Sequence, residues 1–301
     1  MAILCLDIGG TKLSGAVSDE NNKLHSISTI PLFSGRDAKK VVTEAIIDFT
    51  ERTLDRNPEI ERIGVSVPGL TDSENGIWVF SPFSGIRDLN LKECIGDRFK
   101  LPIFIENDVN SCALAEKEFG VCKDYDNFMW ITLSYGIGGS LVINNNLFKG
   151  TNGNAGEIGH IVVDENGPAC GCGNKGCLEA FASCNALENA FLAANPGEKK
   201  PIEEVIAEFF KGNKQVIEMF NHAGFMVGKA VATVANLLDI GAFVFGGVPL
   251  IYELMSDSIT DGIERFAFKG TGLNIKKRKT GLGNQAALYG ALTVALLGED
   301  K

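Results

Sequence analysis

One pattern occurs twice and constrains the fold more than any other feature of the chain. Ala2–Asp7 is an apolar run ending in an aspartate. Gly9-Gly10-Thr11-Lys12 follows, and then a second strand-like run, Leu13–Val17. This spacing predicts a strand, a tight glycine turn and a returning strand. About 125 residues later the pattern returns. Phe128–Leu133 is rich in β-branched and aromatic residues, Ser134-Tyr135-Gly136-Ile137-Gly138-Gly139 is the turn, and Ser140–Ile143 is the returning strand. A period this long duplicates half a chain and does not describe a short solenoid repeat. An α/β protein of two similar lobes with a cleft between them is expected.

The segments between the copies fit that expectation. Apolar spacing predicts helices over Asp37–Leu54, Lys92–Phe99, Val109–Phe119, Asn185–Ala194, Ile202–Phe210, Lys214–Leu238 and Asn284–Leu297. Short buried strands are expected at Arg62–Val67, Ile103–Ile105 and Ala242–Phe245. The basic run Lys276-Lys277-Arg278-Lys279 reads as a solvated loop. The expected lobes are residues 1–107 with 281–301, and residues 108–280.

Composition narrows the partners. The net charge of -10 disfavours a polyanion, because phosphate backbones are bound through basic patches. No run reaches the ~18 apolar residues of a membrane span, and no basic segment with a long apolar run opens the chain. Eight cysteines without a secretory signal point to reduced thiols in the cytoplasm, with any cluster being metal-binding or catalytic. Cys5, Cys94, Cys112, Cys122 and Cys184 have no suggestive spacing and read as free thiols.

The glycine turns carry the first chemistry. Their backbone N–H groups can cradle phosphate oxygens, with Lys12 and the Thr11 and Ser134 hydroxyls adding contacts. The nucleotide-contact set is Gly9, Gly10, Thr11, Lys12, Thr132, Ser134, Gly136 and Gly138, joined by Gly246-Gly247 after a third buried strand. The turns match neither the P-loop pattern nor the dinucleotide fingerprint.

A second set surrounds a glycine-rich loop. His160, Cys170, Cys172 and Cys177 fall within 18 residues, and three thiolates with one imidazole fill a structural zinc site. Glu157 and Glu179 flank them. With the metal fixing the loop, Glu157, the far side of His160 and Glu179 form a rigid polar surface suited to sugar hydroxyls. Asp108, between the two turns at the end of a short strand, is the best-placed general base for phosphoryl transfer.

These residues make the chain similar to the ROK family (repressors, open reading frames and sugar kinases) over essentially its whole length. The resemblance rests on Leu6-Asp7-Ile8-Gly9-Gly10-Thr11-Lys12, Gly64-Val65-Ser66-Val67-Pro68-Gly69 and Glu106-Asn107-Asp108-Val109-Asn110. It rests also on Ala155-Gly156-Glu157-Ile158-Gly159-His160, Cys170-Gly171-Cys172-Gly173 and Gly176-Cys177-Leu178-Glu179. It implies an actin-like ATPase (ribonuclease H-like) fold closing on ATP–Mg²⁺ and a hexose. It implies Asp108 as base, sugar contacts from Gly69, Asn107, Asp108, Glu157, His160 and Glu179, and zinc on His160, Cys170, Cys172 and Cys177. By analogy Asp7 lies at the metal–phosphate end, and a homodimer is expected. Tyr135 stands where the family usually has threonine, Ser140 where it has glycine, and Ile86 where many glucokinase-like members have tryptophan.

The expected function is ATP-dependent phosphorylation of a hexose, first of all at the 6-hydroxyl of a glucose-like sugar. N-acetylmannosamine, N-acetylglucosamine, fructose and allose are the alternatives. A catalytically weak sugar-binding module is a rival of another class. A sugar-responsive repressor is disfavoured, because the first strand begins at about residue 2 and leaves no room for a helix-turn-helix before it.

Overall fold

The computed structural model describes residues 1–32, 38–81, 84–269 and 274–298. Asp37, the expected start of the first helix, lies outside these residues, as do Phe83 and residues 299–301. The chain divides into two compact units. One comprises Met1–Asp124, Lys149–Asn154 and Gly281–Lys301; the other comprises Tyr125–Phe148 and Ala155–Thr280.

The first unit is built on β1 (Ala2–Ile8), β2 (Lys12–Ser18), β3 (Leu24–Pro31), α1 (Ala38–Arg56) and β4 (Ile60–Val67). A small antiparallel sheet of β5 (Leu70–Asp72), β6 (Ile77–Phe80) and β7 (Arg87–Asn90) follows, then β8 (Ile103–Asn107) and α2 (Asp108–Glu118). The main sheet runs β3-β2-β1-β4-β8. β1 pairs antiparallel with β2 and parallel with β4, and β4 is parallel to β8. Leu4, Leu6, Ile63, Val65 and Ile105 are buried in it, each such side chain stabilising the fold by about 1.5–3 kcal/mol.

The second unit repeats that sheet. It contains β9 (Phe128–Leu133), β10 (Ile137–Ile143), β11 (Asn146–Phe148), α3 (Glu179–Ala182), α4 (Cys184–Ala194), α5 (Ile202–Phe210), α6 (Lys214–Leu238), β12 (Ala242–Gly247), α7 (Ile251–Phe266) and β13 (Lys276–Lys279). Its order is β11-β10-β9-β12-β13. The pairing senses match those of the first sheet strand for strand. Each glycine turn is a three-residue connection, Gly9–Thr11 in one copy and Ser134–Gly136 in the other. The doubled sequence pattern therefore reflects a doubled topology.

The structure departs from the expected boundary at 107/108. Helix α2 stays with the first unit, which runs on to Asp124. Two contacts explain this. The C-terminal helix (Ala286–Leu297) packs on α2 so closely that a Cβ on Gly290 would lie 2.6 Å from the Ser111 Cβ. Buried Glu116 of α2 accepts main-chain N–H groups from Val121 (2.9 Å) and Gly281 (3.0 Å).

The basic run is also corrected. Lys276–Lys279 is no loop but strand β13, parallel to β12. Lys277 Nζ donates to Ser256 and Thr260 of α7, and Lys279 pairs with Glu253. Lys92–Asp97 forms a π-helical turn within the helix expected at Lys92–Phe99.

Candidate functional site

In the first unit, parallel register builds the site. Asp7 pairs with Ser66, Ser66 with Glu106, and Val67 with Asn107. The ends of β1, β4 and β8 are thereby brought level, and Asp7 and Asp108 come close enough to repel each other. Burial, and then that repulsion, pushes the Asp108 carboxyl up to about 7. Burial likewise pushes Asp7 up to about 6, against the opposing pull of Lys12. The first glycine turn closes beside Asp7, with Gly9 N donating to Lys12 O at 2.8 Å. Thr11 and Lys12 are exposed at its tip.

Asn107 caps α2, as its position before the helix predicts. Its Oδ1 accepts from Val109 N (2.9 Å) and Asn110 N (3.1 Å). Its Nδ2 donates to Gly69 O (2.8 Å) and to Asp108 Oδ1 (3.1 Å). A primary amide offers two donors and two acceptor sites, and all four are engaged. Asn107 thus holds Asp108 in place and must release a bond to touch a sugar. Gly69 sits at φ 89° in a turn fixed by Trp78, whose indole N–H donates to Pro68 O at 2.8 Å. Val109 N also donates to Asp108 Oδ1, and among the described residues no neighbour's donor reaches Oδ2.

Glu106 opens the Glu106-Asn107-Asp108 motif. It is 5% exposed and is the hub beneath the cap. Its Oε1 accepts from Asn107 N (2.9 Å) and Asn110 Nδ2 (3.1 Å). Its Oε2 accepts from Ser73 Oγ (3.0 Å) and pairs with Lys149 Nζ (2.5 Å). Ser73 and Lys149 had no sequence signal, because neither stands near the motif in the chain.

In the second unit the turn after β9 lies beside the end of β12. Gly246 pairs with Thr132 and Gly247 with Leu133. Gly247 has φ 110°, and a Cβ there would lie 2.1 Å from Leu133 O. Only glycine fits. Gly247→Ala is expected to cost about 3 kcal/mol in denaturant unfolding. Ser134 and Gly136 are partly buried, and Tyr135 is exposed.

The glycine-rich loop is pressed onto β10. A Cβ on Gly156 (φ 97°) would lie 2.3 Å from Gly139 O, so the chain before Glu157 touches the strand backbone directly. After the last cysteine, Glu179 Oε2 accepts from Ile137 N at 3.0 Å. The loop is therefore bonded to the strand that leaves the glycine turn, next to Gly138. Glu157 is exposed; His160 and Glu179 are partly buried.

His160, Cys170, Cys172 and Cys177 converge, with ligand atoms within 4.8 Å of one another. Cys172 Sγ and Cys177 Sγ are 3.6 Å apart, and Cys170 Sγ is 3.7 Å from His160 Nδ1. Tetrahedral zinc with ordinary bond lengths puts sulfurs about 3.8 Å apart, and sulfur and nitrogen about 3.6 Å apart. The cluster is compatible with structural zinc. The main-chain N–H of Asn174 holds the Cys172 thiol below its usual range. Burial pushes the Cys177 thiol up, a cost that a coordinated cation reverses. The His160 ring turns Nδ1 to the thiols and leaves Nε2 3.9 Å from Glu157 Oε2.

Comparison with known proteins fits this geometry. The chain is 36% identical to the glucokinase of Thermotoga maritima, over 82% of each chain. It is 29% identical to the xylose repressor of Bacillus spizizenii, over 97% of this chain and 76% of the repressor. Its structure matches a ROK family glucokinase from Streptomyces griseus, solved with glucose and AMPPNP, at a TM-score of 0.81 and 28% identity. That match covers 99% of this chain and all of the other. The fold is the actin-like ATPase fold of the ROK sugar kinases. Residues 3–297 match the ROK family, and the chain belongs to it.

Proposed function

We propose that the chain is an ATP-dependent hexose kinase. The observation that carries this reading is Asp108. Its carboxyl is pushed up to about 7, and its Oδ2 is left without a neighbouring donor among the described residues. Such a group takes a proton from a sugar hydroxyl near neutral pH. The hydroxyl oxygen attacks the γ-phosphorus, its proton passes to Asp108, and the bond to the bridging oxygen breaks to release ADP.

The remaining roles follow from chemistry. Glu157, His160 and Glu179 hydrogen-bond to sugar hydroxyls. His160, Cys170, Cys172 and Cys177 would hold a zinc ion whose part is to fix these groups and not to do chemistry. Backbone N–H groups at Gly9, Gly10 and Thr11, with Lys12, bind phosphate oxygens, as do those around Ser134, Gly136 and Gly138. Thr132 and Gly246-Gly247 line the nucleotide side. Mg²⁺ bound with ATP would neutralise phosphate charge, and Asp7 is the acidic group proposed to face it.

The test is ADP release across glucose, mannose, fructose, allose, N-acetylglucosamine and N-acetylmannosamine. At least one sugar is expected to raise ADP release well above the sugar-free rate, with the 6-hydroxyl phosphorylated. A second reading, sugar binding without turnover, draws on the similarity to the xylose repressor. Sugar binding by calorimetry with no sugar-stimulated ADP release would decide for it.

A further inference from the structure

We propose that Lys149 is a positioning residue for hexose phosphorylation, acting through Glu106 on the Asn107–Asp108 pair. This rests on the kinase reading and extends it to a residue outside the family motifs.

Glu106 is a buried carboxyl. It is 5% exposed, and ionised carboxylates are rarely buried without a charged partner. Among the described residues its one ion pair is with Lys149, itself 41% exposed. Ser73 completes the arrangement, accepting from Lys149 Nζ at 3.1 Å and donating to Glu106 Oε2 at 3.0 Å. Thus Oε2 is held from one side by a lysine and a hydroxyl. Held there, Glu106 presents Oε1 to Asn107 N and Asn110 Nδ2. Those two bonds hold the main chain at the cap and the Asn110 side chain in the first turn of α2. Asn107 in turn fixes Asp108 Oδ1 and Gly69 O. A continuous run of polar contacts therefore joins Lys149 to the base.

The chain position of Lys149 gives it a second effect. Lys149–Asn154 belongs to the first unit, although the residues before and after it belong to the second. Lys149 is the side chain that ties this short segment to Glu106 and Ser73. Three residues beyond its end stands Glu157, a proposed sugar contact. Releasing Lys149 frees the start of the run into Glu157 and loosens the Asn107 cap together. Asn107 and Glu157 are both proposed sugar contacts, whereas neither is a proposed nucleotide contact.

The test compares Lys149→Met, Lys149→Arg and Ser73→Ala with the unmodified protein. Hexose and ATP binding are measured separately by calorimetry, alongside steady-state kinetics and thermal unfolding. Lys149→Met is expected to weaken hexose binding and lower kcat/KM for the hexose about 10–100-fold, a misplacement effect. ATP binding should change less than about twofold. Lys149→Arg, which keeps the charge on Glu106, should recover most of the loss, and Ser73→Ala should show a smaller loss of the same kind. The proposal is overturned if Lys149→Met, folded by its melting curve, binds hexose as the unmodified protein does. It is equally overturned if hexose and ATP binding fall together, or if Arg does no better than Met. Because binding is read without turnover, a protein that binds hexose but releases no ADP would sink the kinase reading while still judging Lys149.

Discussion

Asp108→Asn is expected to lower hexose phosphorylation about a thousandfold or more, while hexose binding stays within a few fold. The asparagine keeps an oxygen for Val109 N, so the cap geometry survives, but it cannot take the hydroxyl proton. Turnover near the unmodified rate would remove Asp108 as base. The pH dependence follows from the same group. The base works ionised, so kcat/KM for the hexose should rise with pH through about 7, the value to which burial and Asp7 push it. The sign for stability is the opposite. The folded carboxyl binds its proton more tightly than the unfolded one. The advantage of the protonated form is full below the unfolded value near 4 and is lost as pH rises through about 7. Asp108→Asn should therefore melt higher than the unmodified protein at pH 8, by about 1 kcal/mol of stability. A lower melting point at pH 8 would mean the carboxylate is a structural asset and not a strained base.

Removing the proposed zinc is expected to have the second large effect. Stripping zinc with a chelator, or Cys172→Ser, is expected to weaken hexose affinity about 10–100-fold. Cys172 is the exposed member of the cluster, so the substitution spares the core. The geometry adds a smaller loss of ATP affinity, about threefold, because Glu179 Oε2 holds Ile137 N beside the second glycine turn. The two affinities are best measured by calorimetry on protein whose zinc content is known. Equal losses would mean that the loop supports the fold and is no sugar-facing wall.

Much of this was legible residue by residue. His160, Cys170, Cys172 and Cys177 lie within one loop, so their convergence needs no long-range folding. Phe128–Leu133, Ile202–Phe210 and Lys214–Leu238 end where their apolar spacing ends. Other elements gave weaker signals. Leu24–Pro31 is a mostly exposed edge strand, so its polar sequence does not alternate. Strand β13 is four basic residues, and a parallel ladder to β12 needs only backbone groups. Helix α7 carries Ile251, Met255, Ile259 and Ile263 at four-residue spacing, a helical signal present in the sequence.

Residue type alone carries the local chemistry: a glycine turn written twice, a Cys₃His loop flanked by two glutamates, and an aspartate at a strand end. What surrounds that aspartate depends on the fold. Asp7 stands about a hundred residues from Asp108 in the chain, and parallel register across β1, β4 and β8 makes them neighbours. Lys149 and Ser73 meet on Glu106 from segments 76 residues apart. The division at Asp124 likewise follows from α2 lying on a helix that comes last in the chain. The reason is common to all three. Ligand identity is carried by residue type, whereas a shifted pKa, a buried ion pair and a unit boundary depend on neighbours in space, which strand register and helix packing bring together.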